Sequence, residues 1–135
     1  MKFLTEEWSE EFIALAKDTF SPGKTPSKVT VTLCECYNKV PQCGGDTVWF
    51  KYTFKDGVIT DITRGTGRAC APDADYVSDG DYDVSVKNIT GELSSAKALT
   101  SGKIKLKGNL MKGLKLLDTH NVLAECKKLN GKTVF

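Results

Sequence analysis

No stretch of this chain approaches the roughly 18 apolar residues that a membrane-spanning helix needs, so no transmembrane segment is expected. Strong net charge is missing too. Lys and Arg number 19 against 17 Asp and Glu, and a balance of +2 predicts no nucleic-acid partner by itself. The opening Met1-Lys2-Phe3-Leu4-Thr5-Glu6-Glu7 turns acidic before an apolar signal core could form, which predicts no secretory leader and a cytoplasmic protein. Five cysteines are an odd count, and in a reducing compartment they predict free thiols rather than a disulfide framework. There the sequon Asn88-Ile89-Thr90 is inert. The only histidine, His120, lies near Asp118 with no serine or cysteine close in sequence to activate, and reads as a surface residue at a helix start.

What is present describes an ordinary folded domain. At 135 residues, 40% hydrophobic and 27% charged, the chain can bury one core and still enclose a modest cavity. Thr5 can cap a helix over about residues 5 to 18, with Glu6 and Glu7 in its first turn, Lys17 in its last, and Trp8, Phe12 and Leu15 on one stripe. Ser21-Pro22-Gly23-Lys24-Thr25-Pro26 stops it.

From Val29 the period falls to two, with Val29, Val31, Leu33 and Tyr37 on one face and Thr30, Thr32, Cys34 and Cys36 on the other. Val48, Phe50, Tyr52 and Phe54 repeat the pattern against Thr47, Trp49, Lys51 and Thr53. Pro41 to Asp46 forms the loop between these strands, and Asp56-Gly57 makes a tight turn into a third strand, Val58 to Thr63. An antiparallel meander is expected. A short strand over Ala74 to Ser78, a helix over Asp81 to Ile89 and a second helix capped by Ser94 or Ser95 precede the alternating strand Lys103 to Lys107. Asn109 then caps a segment bearing Leu110, Met111, Leu114 and Leu117, and Thr119 opens a last helix with Val122, Leu123, Cys126 and Leu129. This order predicts an α+β fold, with helices on one face of a mainly antiparallel sheet.

Several patterns imitate functional motifs. Cys34-Glu35-Cys36 with Cys43 and Cys70 invites a metal test, but structural zinc favours a Cys-x2-4-Cys knuckle on a turn, so reduced, half-buried thiols are the expectation. Asp79 to Thr90 begins like a calcium loop and lacks its glycine and its closing glutamate. Gly65-Thr66-Gly67 lacks the third glycine of a dinucleotide fingerprint, and the flanking Arg64 and Arg68 read as solvated before they read as phosphate ligands. Lys103, Lys105 and Lys107, with Lys112 and Lys115 beyond, suit a guarded sheet edge, and also transient contact with an anionic membrane surface.

The run Ala74-Asp75-Tyr76 through Asp81-Tyr82-Asp83, then Gly91-Glu92-Leu93, Lys97-Ala98-Leu99 and above all Ser101-Gly102-Lys103-Ile104-Lys105-Leu106-Lys107-Gly108-Asn109, resembles the sterol carrier protein type-2 family. Trp49, Phe54-Lys55-Asp56-Gly57 and Arg64-Gly65 fall in family order upstream, so the likeness spans nearly the whole chain as a single domain, 1–135. It implies a five-stranded sheet covered on one side by helices, with an apolar tunnel between them for a fatty acid, acyl-CoA, phospholipid, isoprenoid or sterol. It further implies binding and transfer without catalysis and without a cofactor. Under it, Phe12, Phe50, Tyr52, Val86, Ile89, Leu99, Leu110, Met111, Leu114 and Leu117 become candidate lipid-lining residues. Leu110-Met111-Lys112-Gly113-Leu114 departs from the family's Met-Gly-Leu-Ala-Met, and Lys132-Thr133-Val134-Phe135 is no peroxisomal signal. An interaction module with a filled core and a cysteine-thiolate metal or redox protein are the alternatives.

Overall fold

The computed structural model describes residues 1–109 and 116–135. Helix α1 (Glu6–Thr19) starts where Thr5 Oγ1 accepts from Trp8 N at 3.3 Å, with Glu6 and Glu7 at its positive end and Lys17 at its negative end. It buries Trp8, Phe12 and Ala16 completely. A meander follows, made of β1 (Val31–Val40), β2 (Asp46–Lys55) and β3 (Val58–Thr66). Asp56 at φ 49° and Gly57 at φ 81° form the two-residue turn between β2 and β3; both values are positive, as the twist of such a hairpin favours. A Cβ on Gly57 would lie 2.0 Å from Ser27 O, so the segment preceding β1 can pack on this turn only because the residue is glycine.

β4 (Tyr76–Asp81) lies parallel to β1, pairing Leu33 with Tyr76 and Tyr37 with Gly80. The sheet order is therefore β3-β2-β1-β4-β5, with β5 (Ile104–Lys107) antiparallel to β4 at the edge. Local alternation carries no information about a strand's partner, and β4 begins two residues later than the expected Ala74. Between β4 and β5 come α2 (Tyr82–Ile89) and α3 (Ser95–Thr100), the latter capped by Ser94 Oγ accepting from Lys97 N. The last helix, α4 (Leu116–Lys127), already contains the expected opener Thr119, which is buried inside it beside Ser27 Oγ at 3.2 Å. The capped segment expected from Asn109 lies, over 110–115, outside the described residues.

One face of the sheet carries Leu33, Tyr37, Val48, Phe50, Tyr52, Phe54 and Ile62, and α1, α2 and α4 join this side in one core. Edge-to-face aromatic contacts run through it, Phe12 to Phe50 at 5.4 Å and Phe20 to Phe54 at 5.6 Å among them. On the opposite face the link from β3 to β4, with a short 3-10 turn at Arg68–Cys70, crosses the sheet, and Arg68 Nη2 holds Asp79 Oδ2 at 2.9 Å. Asp79 is in register with Cys36, so this crossing accounts for the burial of Cys34 and Cys36 on that face.

Candidate functional site

Strand alternation places Glu35 between Leu33 and Tyr37 on the core side of β1, where the carboxylate is 3% exposed. An isolated charge there would cost several kcal/mol, so its partners decide its state. Oε1 accepts from Tyr37 Oη at 3.1 Å and from Tyr52 Oη at 2.5 Å, while Oε2 accepts from Lys127 Nζ at 2.8 Å. Lys127, 2% exposed near the end of α4, also lies over the rings of Tyr37 at 5.2 Å and Phe12 at 6.0 Å. Burial pushes the Glu35 carboxyl up, but Lys127 and the other partners outweigh it and hold it below the usual carboxylate range. Burial, together with the Glu35 charge, drives both tyrosines far above their usual range, so they remain hydrogen-bond donors.

His120 completes the cluster from α4. The expected place at the surface does not hold: the side chain is 20% exposed and faces Glu35, and burial followed by the Lys127 charge lowers its pKa to about 4. The imidazole is thus neutral near pH 7. Asn88 Nδ2 donates to Leu93 O at 3.0 Å and Ser95 Oγ at 3.1 Å, which leaves Asn88 Oδ1 facing His120 Nε2 at 3.2 Å. Because Oδ1 can only accept, Nε2 carries the ring proton and Nδ1 is bare. Nδ1 faces Glu35 Oε2 at 3.8 Å, acceptor against acceptor.

Two small cavities meet at this histidine. The polar one, about 10 Å³, is bounded by Glu35, Tyr37, Ser85, Asn88, His120 and Lys127. The apolar one, about 30 Å³, lies between the sheet and α3 and α4, against Leu33, Leu99, Ile104, Leu106, Leu116 and Leu117. They share Ser78, Ile104 and His120, so the apolar space ends where the polar one begins. A larger groove of about 810 Å³ opens on the opposite face of the sheet, but Arg68, Asp73, Asp79, Lys103 and Lys105 wall it with charge. That surface suits no hydrocarbon.

Of the candidate lipid-lining residues, Leu99 and Leu117 come together at the apolar cavity, and Ile89 borders the polar one. Phe12, Phe50 and Tyr52 lie in the aromatic core, and Val86 packs against its edge. Leu110, Met111 and Leu114 fall outside the described residues. Cys34 Sγ and Cys36 Sγ are 4.0 Å apart, whereas Cys43 is half-buried and Cys70 exposed. All five thiols are free, and among the described residues no three His, Cys, Asp or Glu groups gather as a metal site would require. The arginines expected to be solvated are engaged: Arg64 Nη2 donates to Leu4 O at 2.8 Å and Arg68 pairs with Asp79. Lys105 and Lys107 are exposed on edge strand β5, as a guarded edge requires. No described helix is long and apolar enough to cross a membrane.

Glu35 and Lys127 were absent from the candidates drawn from sequence. Each nonetheless sits in phase with apolar neighbours, Glu35 at the inward position of β1 and Lys127 four residues after buried Leu123. A charge on the apolar phase of two separate elements is the signal that would have found them.

No family model and no curated protein matches the chain. Solved structures do match it. A crystal structure of sterol carrier protein 2 superposes with a TM-score of 0.73 at 19% identity, covering 92% of this chain and 95% of that one. A conserved protein from Thermus thermophilus, described as possibly a sterol carrier protein, gives 0.65 at 18% identity over 96% and 90%. The palmitated form of sterol carrier protein 2 like 2 from Aedes aegypti gives 0.54 at 20% identity over 82% and 91%. The chain has the sterol carrier protein 2 fold, the α+β architecture with a five-stranded, mainly antiparallel sheet.

Proposed function

We propose that this chain binds a single apolar lipid between the sheet and helices α3 and α4, and passes it on without covalent chemistry. The observation that carries this reading is the apolar cavity among Leu99, Ile104, Leu116 and Leu117, which ends on a built polar cluster. Its fold likeness to sterol carrier protein 2, and to a relative solved with palmitate, supports it. The guest is a fatty acid, an acyl-CoA or another apolar lipid such as a sterol or isoprenoid, and each buried CH2 favours binding by about 0.8 kcal/mol.

A volume of about 30 Å³ is far below the roughly 300–1,000 Å³ of sites that hold drug-sized guests, so binding must widen the cavity. The polar cluster argues for a carrier over an enzyme, because Glu35 and Lys127 neutralise each other and neither is left as a working base or acid. On this proposal the 135 residues act as one cytoplasmic unit, and Lys105 and Lys107 make brief contact with anionic membranes. Titration with fluorescent acyl probes, one with an acidic head and one with a hydroxyl head, tests it. Saturable one-to-one binding of at least one is expected, and no saturation by either up to high micromolar concentration refutes it.

A further inference from the structure

We infer that the polar end of the cavity selects an uncharged lipid whose head donates a hydrogen bond, such as a long-chain alcohol or another hydroxylated lipid, over a free carboxylate. The inference rests on the lipid-binding reading above and adds the chemistry of the head.

The polar cluster has acceptors to spare, and its one buried cation is already neutralised by Glu35. A carboxylate offers about four lone-pair positions, and three of those on Glu35 are filled by Tyr37, Tyr52 and Lys127. The fourth points toward the bare Nδ1 of His120, 3.8 Å from Oε2. Two acceptors at that separation leave room for one donor atom about 2.8 Å from each. A hydroxyl placed there donates to Glu35 or His120, and Ser78 or Ser85, which border the same polar space, can donate back to its oxygen.

A carboxylate head meets the opposite situation. It only accepts and brings a second negative charge, while the charge of Lys127 is already balanced by Glu35 and His120 Nε2–H is held by Asn88. Among the described residues no uncommitted cation faces this pocket, so a buried carboxylate would stand against Glu35 without compensation. An ammonium head fares no better, because Lys127 already neutralises Glu35 and a second buried cation would be left in excess. The uncharged donor alone fits without leaving a buried charge unpaired.

The test uses the purified full chain and three ligands built on a fourteen-carbon main chain, 1-tetradecanol, myristate and 1-methoxytetradecane, delivered from cyclodextrin at pH 7.4 and read by displacement of a neutral fluorescent lipid. Tetradecanol is expected to bind at least about tenfold more tightly than either of the others. Myristate binding as tightly as the alcohol overturns the inference while leaving the carrier reading in place, and so does a methyl ether that matches the alcohol. If no ligand and no probe binds, the carrier reading itself is lost. Glu35→Gln frees Lys127, so myristate should equal or overtake the alcohol in that variant. Should Glu35→Gln not fold, His120→Phe serves instead: removing Nδ1 should shrink the gap between alcohol and ether, and an unchanged gap overturns the assignment.

Discussion

Replacing Lys127 with methionine removes one charge from the buried cluster while keeping an apolar stem of similar length against Phe12 and Tyr37. The lysine is 2% exposed and its partner Glu35 4%, so the carboxylate left behind cannot be rescued by solvent. Breaking such a pair from one side costs about 3–5 kcal/mol, a large share of the roughly 5–15 kcal/mol that holds a domain folded. The sign of the pH dependence is specific. In the parent, Glu35 titrates below its unfolded value of 4.5, so its stabilisation is complete above that pH and is lost as acid reaches the folded value. In Lys127→Met the largest lowering partner is gone and burial pushes the carboxyl up against weaker opposition, so the variant's penalty is largest at neutral pH and shrinks as the carboxyl takes up a proton. Urea unfolding followed by tryptophan fluorescence at pH 7.5 and pH 5 reads both effects. The stability gap between parent and variant should be several kcal/mol at pH 7.5 and narrower at pH 5, and Glu35→Gln/Lys127→Met should recover much of it. A gap below about 1 kcal/mol, or one that widens in acid, refutes the account of the pair.

Four further outcomes follow. His120 is held neutral with a folded pKa of about 4 against an ordinary 6.5, so its stabilisation is present above pH 6.5 and lost toward pH 4; His120→Gln should flatten the stability profile across that window in urea titrations. Gly65→Ala places a Cβ 2.2 Å from the Trp49 ring, and should cost about 1–3 kcal/mol and shift tryptophan emission, since the indole must leave the sheet face. Leu99→Phe fills the apolar cavity and should weaken lipid binding about tenfold with stability changed by less than about 1.5 kcal/mol, whereas Lys105→Glu should leave equilibrium affinity intact and slow transfer from anionic vesicles only at low salt.

Much of this fold is legible in short-range pattern. The alternation of Val48, Phe50, Tyr52 and Phe54 marks β2 and its buried side, Thr5 and Ser94 mark helix starts, and Asp56-Gly57 marks the hairpin, because each is set by neighbours within a few residues. The parallel seat of β4 beside β1 is not local, since a strand's own alternation does not name its partner. The Glu35–Lys127 pair joins residues 92 positions apart, and His120 meets Glu35 only through the packing of α4 on the sheet. Polar residues on apolar phases look like exceptions when elements are read singly, and become a site only once the sheet and α4 are brought together.

The most direct test of the central claim is native mass spectrometry of the purified full chain after incubation with neutral long-chain lipid. One lipid per chain is predicted for the parent, with a clear loss of occupancy in Leu99→Phe under the same conditions. A parent found only at the mass of the bare chain, or a Leu99→Phe variant that retains full occupancy, would contradict a lipid site between the sheet, α3 and α4.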